Sequence, residues 1–513
     1  MKEKSQEIIR GESLRIQNPI IRGFYPDPSI CRRGDDYFLI NSSFDYFPGL
    51  PLFHSKNLIE WRQIGNCLTR NSQLDLKDVK SSLGIFAPTI RFINERFYVV
   101  FTNTNIGENL LIATEDPFNE WSEPLALEWG GIDPSLFQDA DGTVYIQGTA
   151  ERYGEEKGIY QAQIDLETGK LRSPRKLISK GTGHKLPEGP HLYHKDDWYY
   201  LMMAEGGTEY GHMETIFRSK TVDGPFEAFS DNPILTNRST GSKLQCVGHA
   251  DLIDTPNGEW FAVCLGTRIK GSHNYYHFLG RETNLAPVKW TEDAWPYVAG
   301  RMLVTDFKQF EDYEKEAENS TKYDFTALNN FSEEWLHISN PIKENYVFSD
   351  KGLQLKGASD LSEIGQPTFV GLRQDEFDYN FTVEFELDTK NVVETGIIVY
   401  MSHDFHVDFF LKGENQKNSL WVRKKIASFE IVEKLCDLHE EVISIRTTCD
   451  GEKFLFEYLL KQKWVIVAEI ETIFLSTEIS GTFTGVLLGI YASGQKTESG
   501  VWITNLQVEK NCE

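Results

Sequence analysis

Long apolar runs are missing from this chain: its 513 residues contain no stretch of about 20 consecutive apolar side chains, which excludes a membrane-spanning helix. Cysteine is sparse and scattered. The seven thiols are odd in number and form no CxxC pair, so neither a disulfide framework nor a zinc knuckle is indicated, and most read as buried thiols. Positive charge is in deficit, with 52 Lys and Arg against 77 Asp and Glu for a formal net charge of −25. Such a field repels phosphate backbones and anionic lipid, which argues against nucleic acid and membrane surfaces as partners and in favour of a small neutral substrate. The opening stretch "MKEKSQEIIRGESLRIQNP" lacks an apolar core of signal-peptide length, so a cytoplasmic location is the expectation.

What is present is aromatic and repetitive. Phe, Tyr and Trp make up 13% of the chain, an excess that suits β-structure and sugar-stacking surfaces alike. The length is too great for one ordinary core and predicts two domains. Five stretches share one grammar: "FYPDPSICRRGDDYFLI", "FAPTIRFINERFYVVFT", "IDPSLFQDADGTVYIQG", "EGPHLYHKDDWYYLMMA" and "GHADLIDTPNGEWFAVCL". Each opens with a polar or proline-containing entry, runs into a short apolar strand, turns on Gly, Asp or Asn, and returns as an aromatic-rich strand. Four short strands in each of five units predict an all-β fold, a five-bladed β-propeller over residues 1–305. Residues 306–324 read as a charged connector. Residues 325–513 alternate with period two between Gly and Asp turns, which predicts an antiparallel β-sandwich.

In a propeller the first strand of every blade lines the central channel, so residues entering those strands meet at one mouth. Aligning the units puts Asp27, Ala87, Asp133, Gly189 and His249 in register, with Glu188 one residue ahead of its register point. Three carboxyls in one funnel suit glycoside hydrolysis by inversion. One ionised carboxylate draws a proton from water and one protonated carboxyl gives a proton to the leaving oxygen, the two standing about 6.5–9.5 Å apart to admit the water. A third acid raises the pKa of the proton donor, because like charges in a confined site resist joint ionisation. Taken singly the motifs are weak, since a lone Asp-Pro usually marks a turn. Their shared position in separate repeats is what lifts them.

"PDPSI" with Asp27, "GIDPSLF" with Asp133, "PEGPHLY" with Glu188, "AEGGT" with Thr208, "GHADL" with His249 and "LGRET" with Arg281 together resemble glycoside hydrolase family 43, and within it the exo-acting β-xylosidase and α-L-arabinofuranosidase group. The resemblance runs from about residue 17 to 305 and implies hydrolysis with inversion. It implies Asp27 as general base, Glu188 as general acid and Asp133 as the residue that orients the acid and raises its pKa. It further implies Arg281 as a ligand of sugar hydroxyls, Phe44 as an aromatic wall of the terminal-sugar pocket, and Thr208 near the acid. His249 resembles the histidine at the channel centre, which in some relatives holds a calcium or sodium ion through waters; no cofactor is required by the chemistry itself. One position departs from the group: "GIFAPTI" carries Phe86 where many xylosidases have Trp, which loses area and an indole donor and bears on sugar preference.

The C-terminal half resembles the lectin-like jelly roll that follows the propeller in this group, and is expected to close one side of the pocket with a loop or to bind carbohydrate itself. Its edges leave room for homo-oligomerisation. The expected substrate is terminal β-1,4-linked xylose of short xylooligosaccharides, with α-L-arabinofuranosidase activity as the alternative. A non-catalytic sugar-binding propeller ranks behind both. Among rival classes an invertase-like propeller comes ahead of that non-catalytic one, although its "NDPN", "RDP" and "ECP" motifs do not occur, and an endo-arabinanase is another option.

Overall fold

The computed structural model describes residues 14–149, 155–310, 320–388, 392–494 and 498–511. Five four-stranded antiparallel sheets follow one another from Ser29 to Val298, each begun by one of the five repeated stretches. Their first strands, Ser29–Arg33, Ile85–Ile93, Ser135–Gln138, Glu188–Lys195 and Leu244–Asp254, touch in succession and close a ring. Closure is made by the chain ahead of the first blade, where Asn18 Nδ2 donates to Leu285 O at 2.9 Å and Ile21 bridges Thr283 on the last blade.

At the centre of the ring one carboxylate ties four blades. Asp251 accepts from Ser29 Oγ at 2.7 Å and Ile30 N at 3.0 Å on the first blade, from both terminal nitrogens of Arg91 on the second, and from Tyr193 Oη at 2.7 Å on the fourth. A buried charge with this many donors is satisfied, and it braces the floor beneath the entry residues.

The described residues between 320 and 511 form two stacked antiparallel sheets, of eight and six strands, over a core that includes Phe381, Phe385, Val407, Phe409, Phe454 and Phe456. The stretch expected to be a connector carries strands at both ends. Asp306–Phe310 pairs with Leu14–Gln17, and Ser320–Asp324 pairs with Asn505–Glu509 inside the eight-stranded sheet. "STKYD" has no apolar alternation to betray it; backbone hydrogen bonds to a neighbour almost 200 residues away hold it.

The two domains share a core. Phe24, Phe44 and Tyr46 of the propeller pack with Phe369, Tyr400, Phe410 and Tyr491 of the six-stranded sheet. Gly485 lies so close to the propeller backbone that a Cβ there would sit 2.3 Å from Leu279 O, and next to it Val486 N donates to Phe278 O at 2.8 Å. This contact delivers the loop at residues 482–485 to the mouth of the channel.

Candidate active site

The register read from the repeats corresponds to a backbone feature. Asp27, Asp133, Gly189 and His249 all adopt left-handed φ, at 52°, 55°, 56° and 50°. Three of them are not glycine, and backbone of this kind is held at functional sites by its surroundings. Ala87, the fifth aligned position, continues within its strand. Gly189 has a second reason to be glycine, since a Cβ would meet the His249 ring at 3.0 Å. In the fourth blade the pairing is irregular between Glu188 and His191, as it is at the matching points of the second and fifth blades. That bulge sets Glu188 at the channel mouth.

The carboxyls meet very different neighbours. Asp27 is buried, and burial alone would raise its pKa. Arg281, then His249 and Ser42, outweigh that and hold it below its ordinary value. Arg281 Nη1 donates to Asp27 Oδ1 at 2.9 Å, Ser42 Oγ donates to Oδ2 at 2.6 Å, and His249 Nδ1 lies 4.0 Å from Oδ1. Among the described residues Glu188 has no such clamp. Burial first, then the Asp27 charge, push it up to about 7 against smaller pulls from Arg281 and Lys185. Asp133 is driven upward too, by burial and then by Glu188 and Asp27, while its Oδ2 accepts from Gly189 N at 3.0 Å. The expectation that an ionised Asp133 raises the acid's pKa therefore changes in detail: the charge that raises Glu188 comes from Asp27, and Asp133 and Glu188 resist joint ionisation as a pair.

The segment leading into Glu188 is stapled down. Glu205, fully buried, accepts from Thr182 N, Thr182 Oγ1 and Thr215 Oγ1, and Gly206 N donates to Lys185 O at 2.8 Å.

The other residues singled out from the sequence lie around Asp27 and Arg281. Thr208 Oγ1 accepts from Arg281 Nη1 at 3.1 Å. The Phe44 ring lies under the Arg281 guanidinium at 5.5 Å and beside Phe86 at 5.0 Å. It is only 3% exposed, so it backs the wall, and Phe86, half-buried, offers more surface. His249 is buried and held below its ordinary pKa by that burial, hence neutral. A directly held ion does not fit there: one imidazole stands beside a carboxylate already neutralised by Arg281, and among the described residues no group of three His, Cys, Asp or Glu side chains could hold a metal.

Two contributors escaped the sequence reading. Ser42 stands two residues before Phe44 in "NSSFDYF" and could have been weighed with it. Phe483 belongs to the sandwich. Its carbonyl accepts from Arg281 Nη2 at 3.3 Å, its N–H donates to Ser82 Oγ at 2.9 Å, and its ring lies 5.9 Å from the guanidinium with 44% of the residue exposed. An aromatic in the Gly- and Thr-flanked turn "GTFTG" was the available signal.

The model of glycosyl hydrolases family 43 matches residues 16–296, the span that carries the three carboxyls. This chain belongs to that family. The remainder, residues 322–504, matches the β-xylosidase C-terminal concanavalin A-like domain. The family 43 enzyme is 37% identical to a xylosidase/arabinosidase of Butyrivibrio fibrisolvens, over 93% of this chain and 95% of that one. It is 35% identical to a non-reducing end α-L-arabinofuranosidase of Bacteroides ovatus, over 93% and 91%. Among solved structures, xylan β-1,4-xylosidase from Bacillus halodurans superposes with a TM-score of 0.88 at 30% identity, covering 96% of this chain and all of that one. The family 43 enzyme is thus a glycoside hydrolase built as a five-bladed propeller with a concanavalin A-like sandwich.

Proposed function

We propose that this hydrolase removes terminal β-1,4-linked xylose from short xylooligosaccharides with inversion at the anomeric carbon. Asp27 is the general base that takes a proton from the attacking water, and Glu188 is the general acid that protonates the leaving oxygen. Asp133 positions Glu188 through the Gly189 N–H and, with it, resists joint ionisation. Arg281 and Thr208 bind the terminal sugar's hydroxyls, with Phe86 and Phe483 as apolar surface around it. The arrangement that carries this reading is the contrast between two carboxyls in one funnel: Arg281 and Ser42 donate to Asp27 at 2.9 and 2.6 Å, while Glu188, buried near the Asp27 charge, is pushed up to about 7.

A second reading, mainly α-L-arabinofuranosidase, is favoured by Phe86, whose smaller ring stands where many xylosidases of the group carry Trp, and by the names of two relatives, a xylosidase/arabinosidase and a non-reducing end α-L-arabinofuranosidase. Proton NMR on xylobiose and on the nitrophenyl β-xyloside and α-L-arabinofuranoside tests both readings. α-Xylose as the first-formed product, with xylosides turned over faster, is the expected result. β-Xylose appearing first would refute the assigned roles, and faster arabinoside turnover would favour the second reading.

The sandwich loop is part of this site. Phe483→Ala removes the ring yet keeps the carbonyl that receives Arg281, so kcat/KM on xylobiose is expected to fall about tenfold with little change in Tm. An unchanged kcat/KM would remove Phe483 from the binding surface.

A further inference from the structure

We infer that the seam between propeller and sandwich holds a binding site for a small oxyanion, phosphate or carboxylate, gripped by the guanidinium of Arg373. A cavity of about 130 Å³ opens there, walled by the ring-closing segment through Arg22 and Tyr25 and by the sandwich through Tyr323, Arg373, Asp375 and Lys510. That is well below the roughly 300–1,000 Å³ of sites for drug-sized ligands, and it suits an ion. Arg373 ends the strand Thr368–Arg373 and is only 8% exposed. Its Nη1 donates to the neutral Tyr25 Oη at 3.3 Å, and the guanidinium lies 4.2 Å from the centre of the same ring. Its charge meets no opposite charge. Nε is covered and without a partner, Nη2 is left to the cavity, and among the described residues no carboxylate oxygen comes within 4.0 Å of this guanidinium.

A buried cation in this state is costly unless a counter-charge reaches it, and the neighbouring acids are engaged elsewhere. Glu376 pairs with Arg22, and Asp375 with Lys510. Glu334, the other acid on the cavity, accepts from Tyr323 Oη at 3.1 Å and Ser332 Oγ at 2.7 Å. Three cations, Arg22, Arg373 and Lys510, thus face the cavity against two carboxylates, Asp375 and Glu334. One anion restores the balance. A planar guanidinium with free N–H groups matches two oxygens of a single phosphate or carboxylate. Tyr25, which shares the cavity with Arg373, stands two residues before Asp27; its N–H donates to Arg281 O at 3.1 Å and its carbonyl accepts from Thr283 Oγ1 at 2.7 Å. An anion held here would tie the sandwich to the segment that closes the ring and stabilise the seam.

Calorimetric titration of the full chain with sodium phosphate, and separately with sodium acetate, in sodium chloride of matched ionic strength tests this alongside thermal melts. One anion per chain is expected to bind, the tighter of the two identifying the ligand, with Tm rising by about 2 °C at about ten times Kd. Arg373→Met removes the grip and is expected to weaken binding at least about tenfold, while its Tm in chloride alone stays at or above that of the parent because an unpaired buried charge is gone. Glu334→Gln keeps an acceptor for Tyr323 and Ser332 but removes a like charge beside the site, so it is expected to tighten phosphate binding about threefold. This second variant decides the matter even where Arg373→Met fails to fold. No saturable binding of either anion, binding that survives Arg373→Met and so lies elsewhere, as at Arg281, or a Glu334→Gln variant that binds no tighter would each overturn the inference.

Discussion

Glu188→Gln is expected to lower kcat on xylobiose by about 10²–10⁴-fold, because protonation of a poor leaving oxygen is then left to water. Nitrophenyl xyloside, whose leaving group needs little protonation, is expected to lose far less. The same substitution predicts a change in pH behaviour. In the parent enzyme the alkaline limb of kcat/KM reflects deprotonation of a group pushed up to about 7, and with glutamine that limb disappears for the nitrophenyl substrate. Stability moves in the opposite direction from activity. A glutamate whose folded pKa lies above its unfolded value binds its proton more tightly in the native state, so stability declines as pH rises from about 4.5 towards 7 and stays lower above that. Removing the charge should raise stability at pH 8 by about 1–3 kcal/mol, discounted for partial exposure, and leave it nearly unchanged below the unfolded pKa. Thermal melts at the two ends of this range check it. A variant that loses both substrates equally, or is destabilised at alkaline pH, would remove Glu188 from the acid's role.

Asp27→Asn is expected to lower kcat/KM by a similar factor of about 10²–10⁴, but on xylobiose and the nitrophenyl glycoside alike, since water must be activated whatever the leaving group. Here stability should fall. Arg281, 7% exposed, would keep its charge and lose its carboxylate, and an uncompensated buried cation costs about 3–5 kcal/mol. Glu188 should respond as well: with the Asp27 charge gone, one of the two causes that raise its pKa is removed, and the alkaline limb of the residual activity moves to lower pH. The pair of substitutions therefore separates base from acid by three independent signs: leaving-group dependence, stability at alkaline pH, and the shift of the alkaline limb. Residual rates that fall only for xylobiose would contradict the role given to Asp27.

Much of this site could be read before any coordinates. Repetition announced the blades, and the blades placed Asp27, Asp133, Glu188 and His249 at one mouth because a propeller brings equivalent positions together. Left-handed φ at Asp27, Asp133 and His249 was not foreseeable, since nothing in an Asp-Pro or a Gly-His-Ala string distinguishes a strained entry from an ordinary turn. The strand Ser320–Asp324 was missed because backbone pairing, not side-chain alternation, holds it. Phe44 was legible as a wall but not as a covered one, a matter of which neighbours pack on its outer face.

The sequence by itself determined the architecture and the inventory: strand periodicity and turn chemistry are local, and five repeats of one local pattern leave few ways to bury it. Only the tertiary structure decided the chemistry of each carboxyl. Ionisation depends on charges within a few ångströms, and the cation that holds Asp27 ionised, Arg281, lies 254 residues away along the chain. The loop that completes the wall comes from 202 residues beyond Arg281, in the other domain. No pattern within either segment encodes that meeting; the packing of the sandwich against the propeller does.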